Sequence, residues 1–501
     1  MWTAARAMMS RMSGVLAVTI ASSVASGSRR GAGRRAGWGA GGRTGRVSLR
    51  QPLTRSDVDL IHELARLCSS TPGRGGSLGH RLFRHRIAGR NPGMPRSAAV
   101  TDEDPLTGLD DVPWAQLQHS YGMADDVPGH LRAMQAGVWE GRFPPSAQLA
   151  NHIVHQGTRS QAAVYTVPFL VRMALDPRLV NRHRFVRLLV DIGIGLDNNY
   201  LPNGYDPRDD RASLANLRGE ADDWAQWIGE APDDEQRKER EGSWAQALIN
   251  AEAVVRCYDA VREAVPALAV LLTSDSPELR SQTANLLAWF PESAATSIPL
   301  LKAFIADESS PGAAATGVVA LGLLGEPATV PFIRRYLESP IVELRWASAF
   351  ALTRFGTASP AVVDVLTQVI AQPPEKTETM PFLSGSYSGL AAMALAETSE
   401  ATTLRAVDAM LVSVADGTGV GGFYDRYYTA HTLFTLVFPG NPGEPQSFGD
   451  LSNVQQHVVR FLADQDEAAW PSGAVDALRR WKVPTRHSHL RVYAGFVQAG
   501  Q

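Results

Sequence analysis

The sequence predicts an all-α chain built as a right-handed α-solenoid of antiparallel helix pairs. Three observations carry that expectation. Four prolines head one shared apolar pattern, turn-forming residues break the chain after each of them, and no strand-period alternation of comparable length competes. Three of the prolines, Pro266, Pro299 and Pro331, follow one another at spacings of 33 and 32 residues, the period of a repeat.

Each proline precedes apolar residues one, two, five and six positions later. Pro168 is followed by Phe169, Leu170, Met173 and Ala174, and Pro266 by Ala267, Leu268, Leu271 and Leu272. Pro299 is followed by Leu300, Leu301, Phe304 and Ile305, and Pro331 by Phe332, Ile333, Tyr336 and Leu337. Those offsets mark one face of a 3.6-residue period, and proline suits a first helical turn because its missing N–H has no partner there. Asp176-Pro177, Asp275 to Pro277, Asp307 to Pro311 and Ser339-Pro340 supply the breaks. A second helix is expected after each, with Leu279, Thr283, Leu286, Leu287 and Phe290 inward in one repeat and Val342, Trp346, Ala349, Phe350 and Thr353 in another. Pro291, Gly325 and Gly356 stand where these second helices should stop or turn left-handed. Looser copies continue the array at 362–370 with 389–396, 407–414 with 427–438, and 454–463 with 473–481. A helix pair of this size cannot bury its apolar face alone, so its neighbours must cover it.

Charge divides the chain in two. Residues 1–100 hold 17 arginines against 3 acids, while 101–501 hold 31 basic against 48 acidic residues. Residues 1–102 therefore read as an Arg/Gly-rich extension, and 103–501 as the repeat array with a polar insertion at about 197–242. The run from Gly14 to Ala25 follows Arg6 and Arg11 as a signal peptide would. It is short, and Arg29, Arg30, Arg34 and Arg35 follow it, so the reading is cytoplasmic, with export as the alternative. The composition turns globular near Met94, an alternative start. No apolar run reaches the length of a membrane span. Cys68 and Cys257 are the only cysteines and form neither a disulfide framework nor a four-ligand zinc pattern. The acidic body argues against nucleic acid, which needs a cationic surface to displace counterions.

Candidate chemistry is sparse. Nucleophile elbows, phosphate loops, dinucleotide fingerprints and zinc-protease motifs are absent, so no catalytic residue, cofactor or metal is assigned. His152 and His155 would share a helix face and could hold a metal, but no third ligand is indicated. They could equally cap the turn at 156–158, or contact a partner together with Arg159. In the insertion, Asn198, Tyr200 and Tyr205 sit among turn residues where loops commonly present contacts. The run from Asp233 to Glu241 reads as a solvated helix face or linker. Tyr424, Arg426 and Tyr428 lie beside the glycine-rich 417–422 segment, and tyrosine and arginine are common interface anchors. Tyr427 and His431 stand four apart, so one helix could instead pack some of these rings into its core.

The segment Leu106-Thr-Gly-Leu-Asp-Asp-x-x-Trp114, the stretch His155-Gln-Gly-Thr-Arg159 and the helix start Val167-Pro-Phe-Leu170 together resemble the actinobacterial HEAT-repeat proteins. That resemblance implies a stack of HEAT-like helix pairs and a role in interaction or scaffolding. The expected function is thus a non-enzymatic protein-binding scaffold, of regulatory or immunity type. Its concave surface and insertion would recognise a protein partner, and a basic one would suit the acidic body. Because HEAT-like arrays also occur in bilin lyases and DNA glycosylases, an enzyme is the alternative.

Overall fold

Helices, most of them between seven and sixteen residues long, build the described chain, and most pack on the helices that flank them in sequence. The computed structural model describes residues 103–142, 144–377, 379–415 and 422–496, and the side chains of 422 and 423 are left aside. The extension expected at 1–102 and most of the 417–422 glycines lie outside these residues. Among the described residues there are nineteen α-helices and two short β-hairpins. None of the helices is long and apolar enough to cross a membrane.

The array opens with hairpin β1–β2, Gln118–His119 against Gly122–Met123, then α1 (Val127–Gln135) and α2 (Pro145–Ile153). Hairpin β3–β4, Val154–His155 against Thr158–Arg159, turns through Gln156 and Gly157, both left-handed. Helices α3 (Ala163–Leu175) and α4 (Arg182–Ile194) form the next pair.

The polar insertion expected at about 197–242 opens with turn residues as read, and the Asp233–Glu241 run is the exposed start of a helix, but the part between is helical rather than a long loop. After a 3-10 turn at Asp197–Asn199 come α5 (Pro207–Gly219), α6 (Ala221–Gly229) and the 35-residue α7 (Asp234–Leu268). Asp206 and Asp233 cap α5 and α7 by accepting from the backbone N–H of Arg208 and Gln236. Ala, Glu, Gln and Arg then sustain the first half of α7, which shows little apolar periodicity.

The repeats proper follow as α8 (Pro277–Leu287), α9 (Ala294–Asp307), α10 (Pro311–Leu323), α11 (Val330–Arg334), α12 (Val342–Thr353), α13 (Pro360–Ala371), α14 (Tyr387–Ala396), α15 (Leu404–Ala415) and α16 (Gly422–Val437). The chain closes with α17 (Asn453–Asp464), α18 (Ala474–Arg480) and α19 (His487–Tyr493). Sequential helices pair, as α9 with α10, α11 with α12, α13 with α14 and α15 with α16. The second members form a continuous inner row in which α4, α8, α10, α12, α14 and α16 each pack on the next. This is the expected helical repeat architecture.

The inward residues expected of α8 are all buried, as are Trp346, Ala349, Phe350 and Thr353 of α12, and Gly325 and Gly356 are left-handed as expected. The placing of the prolines needs correction. Pro168, Pro266 and Pro299 lie inside helices, and only Pro331 falls in a first turn. The apolar phase was right, but α3, α7 and α9 begin earlier, so each internal proline forgoes one ladder hydrogen bond. Pro266 sits near the end of α7, just before the chain tightens into a 3-10 turn at Ala269–Thr273. First-turn prolines instead open α8, α10 and α13, each after a serine. The residue just after the internal proline is exposed in two cases, Ala267 and Leu300.

Candidate functional site

Three regions carry the residues singled out by sequence. In the first, α1 and α2 pack together, and the backbone N–H of Ser120 donates to the His152 carbonyl at 3.0 Å, which pins hairpin β1–β2 to the end of α2. This brings three imidazoles onto one carboxylate. His119 Nε2 lies 3.0 Å from Asp126 Oδ1, while His152 Nδ1 and His130 Nε2 lie 2.8 and 3.4 Å from Oδ2. The His152 ring stacks obliquely on His119, with centroids 4.7 Å apart, and meets His130 edge-on at 5.4 Å. His119, Asp126 and His152 each offer a metal-ligand atom, and these atoms lie within 4.8 Å of one another.

Partial burial raises the Asp126 carboxyl, but the neighbouring His119 and His152 outweigh this and hold it below its ordinary value. Burial, aided by His119 and His130, keeps His152 below the usual imidazole value against the pull of Asp126.

His152 and His155 do not share a helix face, because α2 ends at Ile153 and His155 belongs to β3. His155 Nδ1 instead meets Asn151 Oδ1 at 2.9 Å and the Tyr121 hydroxyl at 3.1 Å. The two histidines flank the Tyr121 ring, each 5.3 Å from it, and Tyr121 is 58% exposed. Sequence reasoning missed His119, Asp126 and His130. The one local signal was Asp126 and His130, four apart and so on one face of α1.

In the second region, Arg159 is 4% exposed and acts as a strut. Its Nη1 donates to the carbonyls of Gly157 and Ile194 at 2.9 and 3.2 Å, and Nη2 lies 3.5 Å from Asp210 Oδ2. A partner cannot reach a guanidinium so enclosed, which corrects the expectation of a contact there. Tyr205 is likewise buried. Its hydroxyl donates to the same Asp210 oxygen, and its ring lies between those of Tyr200 and Tyr258, at 4.8 and 5.1 Å. Burial pushes the phenols of Tyr200 and Tyr205 up. Asn198 and Tyr200 are half-buried. Asp197 Oδ2 accepts the backbone N–H of Leu383 at 2.9 Å, tying this turn to the segment before α14.

Asp191 on α4 stands beside them, with Arg187 Nε 3.1 Å from its Oδ1. Burial, with Asp197 adding to it, pushes its carboxyl up to about 6 despite Arg187. A carboxyl whose folded value exceeds its unfolded value contributes stability that is full below about pH 4 and lost as pH rises through about 6, at up to ~1.4 kcal/mol per pH unit. Urea midpoints of Asp191→Asn should therefore fall less between pH 5 and 7 than those of the parent. Parallel profiles would contradict this origin.

In the third region, the buried Asp425 is the organising group. Its Oδ1 accepts from Ser386 Oγ at 2.8 Å and from the N–H groups of Ser388 and Gly389 at 2.9 and 3.4 Å, so α16 caps the N-terminus of α14. Burial still holds its carboxyl above the ordinary value. Arg426, Tyr427 and Tyr428 flank it half-buried. Tyr424 is 44% exposed and stacks at 6.3 Å on Tyr428, with Lys376 Nζ 5.9 Å from its ring centre. His431 is stacked on Tyr427 at 6.5 Å.

A fourth feature was not singled out. No residue of α6 is buried, yet Trp224 and Trp227 on it and Trp244 on α7 form a ring cluster with centroids 5.0 and 5.4 Å from Trp224. Arg240 lies 4.5 Å over Trp227. Between 206 and 241 stand twelve acidic and six basic residues.

The lone described cysteine, Cys257, is fully buried on α7, and burial pushes its thiol up to about 12, which leaves it un-ionised at neutral pH. Residues 298–379 match the family of HEAT repeats, which covers α10 to α13 and most of α9. No curated protein and no solved structure matches the chain.

Proposed function

We propose that this HEAT-repeat protein is a non-enzymatic scaffold that docks a basic protein partner on the acidic surface of α5 to α7. The observation that carries this reading is the tryptophan cluster between α6, which has no buried residue, and α7. Its three half-buried indoles lie outside the array's main core, and Trp is prominent among the residues that dominate interface energies. The excess of acid around them supplies long-range attraction for a cationic surface and disfavours a nucleic acid. Arg211 braces the base of this element on Asp259 and Glu292 at 2.7 and 2.8 Å, and Arg218 ties α5 to Glu252 of α7 at 2.7 Å, so the platform is fixed before a partner arrives.

The test is capture of the partner from the native cell, followed by titration of the purified partner. It should carry net positive charge, and its affinity should fall about tenfold or more, or by ~1.4 kcal/mol, when Trp224→Ala is combined with Asp222→Lys and Asp223→Lys. A partner that binds this variant and the parent equally would place the docking surface elsewhere.

A further inference from the structure

We infer that His119, Asp126 and His152, with His130 beside them, form a binding site for a divalent first-row transition-metal ion of the Zn2+ type. The donor set carries the inference first. Imidazoles with one carboxylate are the ligands such ions prefer, whereas Ca2+ and Mg2+ favour all-oxygen cages. The donors also converge from three separate elements: hairpin β1–β2, the start of α1 and the end of α2.

A hydrogen-bonded cluster alone accounts poorly for the arrangement. The ring nitrogens His130 Nε2 and His152 Nδ1 are both buried and lack a hydrogen bond of acceptable geometry, although both lie within 3.4 Å of Asp126 Oδ2. Two imidazole nitrogens aimed at one carboxylate oxygen off the hydrogen-bonding direction is what ligands gathered around a common point look like. Asp126 sits immediately before α1, so an ion held by its carboxylate joins the loop to the helix start.

His119 is the member whose contacts must change. Its Nδ1 accepts the backbone N–H of Tyr121 at 3.0 Å, which leaves the ring's proton on Nε2, facing Asp126. When the ion takes Nε2, that proton moves to Nδ1, and the solvent-exposed Tyr121 contact passes to water. That shift releases no proton, but a protonated imidazole cannot ligate, so the ion competes with protons and binding weakens on acidification. His155 lies outside the group of converging ligand atoms, and its Nδ1 is engaged by Asn151 and Tyr121.

The experiment uses the untagged full chain, stripped with chelator and titrated with Zn2+, and with Co2+ as a spectroscopic probe. The expected result is one tight equivalent per chain, a raised unfolding midpoint on Zn2+ addition, and a Co2+ absorption band that Zn2+ removes. Asp126→Asn and His152→Ala should each weaken Zn2+ binding at least tenfold, while His155→Ala keeps it. Equal binding by all variants, or no stoichiometric binding by the parent, would overturn the assignment. Should the ligand variants fail to fold, X-ray absorption of the parent's Zn2+ complex decides. Scattering from two or more imidazoles supports the site, and a shell without imidazole refutes it.

Discussion

Replacing Gly322 by valine should destabilise the chain by about 3 kcal/mol, among the largest effects of any single substitution in the array. Gly322 lies on α10 where it crosses α12. A Cβ added there would stand 2.6 Å from the Cβ and 2.8 Å from the Cα of Ala351, closer than real Cβ atoms approach. Neither neighbour can swing aside, since one is main chain and the other is the shortest side chain there is. The two inner-row helices must therefore part, and both are buried along nearly their whole length. Even alanine should cost measurable stability. Gly242→Ala provides the contrast. It is also a helical glycine, but nothing lies within 4 Å of the added carbon, so relief of backbone entropy should stabilise α7 by about 0.5–1 kcal/mol. Denaturant midpoints of the three variants check both signs. A Gly322→Val chain as stable as the parent would mean that α10 and α12 do not pack this closely.

Arg280→Ala should cost about 3–5 kcal/mol, because it strands a buried charge. Arg280 near the start of α8 clasps Glu308, just past α9, through two parallel contacts of 2.6 and 2.7 Å, and Glu308 is 1% exposed on its side chain. The same guanidinium donates from Nη1 to the carbonyls of Ser274 and Asp275 in the turn before its own helix. One side chain thus closes a turn and joins one repeat to the next. Truncating it leaves a carboxylate helped only by nearby main chain, the Ser310 N–H at 2.8 Å and that of Ser309. Adding Glu308→Gln should recover a large part of the loss, since the stranded charge disappears, and a double-mutant cycle measures that coupling. Full additivity of the two substitutions would show that the pair is not coupled. Arg345, two repeats later, reaches the carbonyls of Ser339 and Pro340 in the same manner, at 2.7 and 3.0 Å. The turn-closing part of the device is therefore repeated.

The inner row was legible in the sequence because its constraint is local. Leu279, Thr283, Leu286 and Leu287 repeat with the helical period, and Gly325 and Gly356 mark the ends by a backbone requirement that few residues meet. The outer helices were legible in phase but not in extent, because an internal proline resembles a first-turn proline when only the apolar residues after it are read. The α5 to α7 element was legible only at Asp233–Glu241, whose charges read as a solvated helix face or linker. Turn residues at its start and a polar composition hid α5 and α6, although Trp224, Trp227 and Ile228 share one face of α6.

The candidate sites were least legible, since each is made by chain crossings. His119, Asp126 and His152 span 34 residues and three elements, and no spacing rule links a hairpin residue to the end of a helix. Arg159 and Tyr205 drew attention as polar and aromatic groups in irregular sequence. Asp210 explains them both, and it lies in a helix that the sequence did not announce. Asp425 stood unnoticed among its tyrosine neighbours because its partners, Ser386, Ser388 and Gly389, are 36 to 39 residues away.

The complete burial of residues 312–323 along α10 limits how this chain can be edited or can have grown. A helix of small residues with no outward side cannot serve as an end, since water would meet Ala, Val and Gly on every surface uncovered. Cutting the chain after Leu323 would expose the flank that α12 covers, and excising the 32 residues from Pro299 to Val330 would set α8 against α12, whose Trp346 and Phe350 are shaped to other neighbours. Lengthening or shortening of the array by whole units is thus confined to positions away from this seam, and the centre behaves as one inseparable block within an otherwise modular chain.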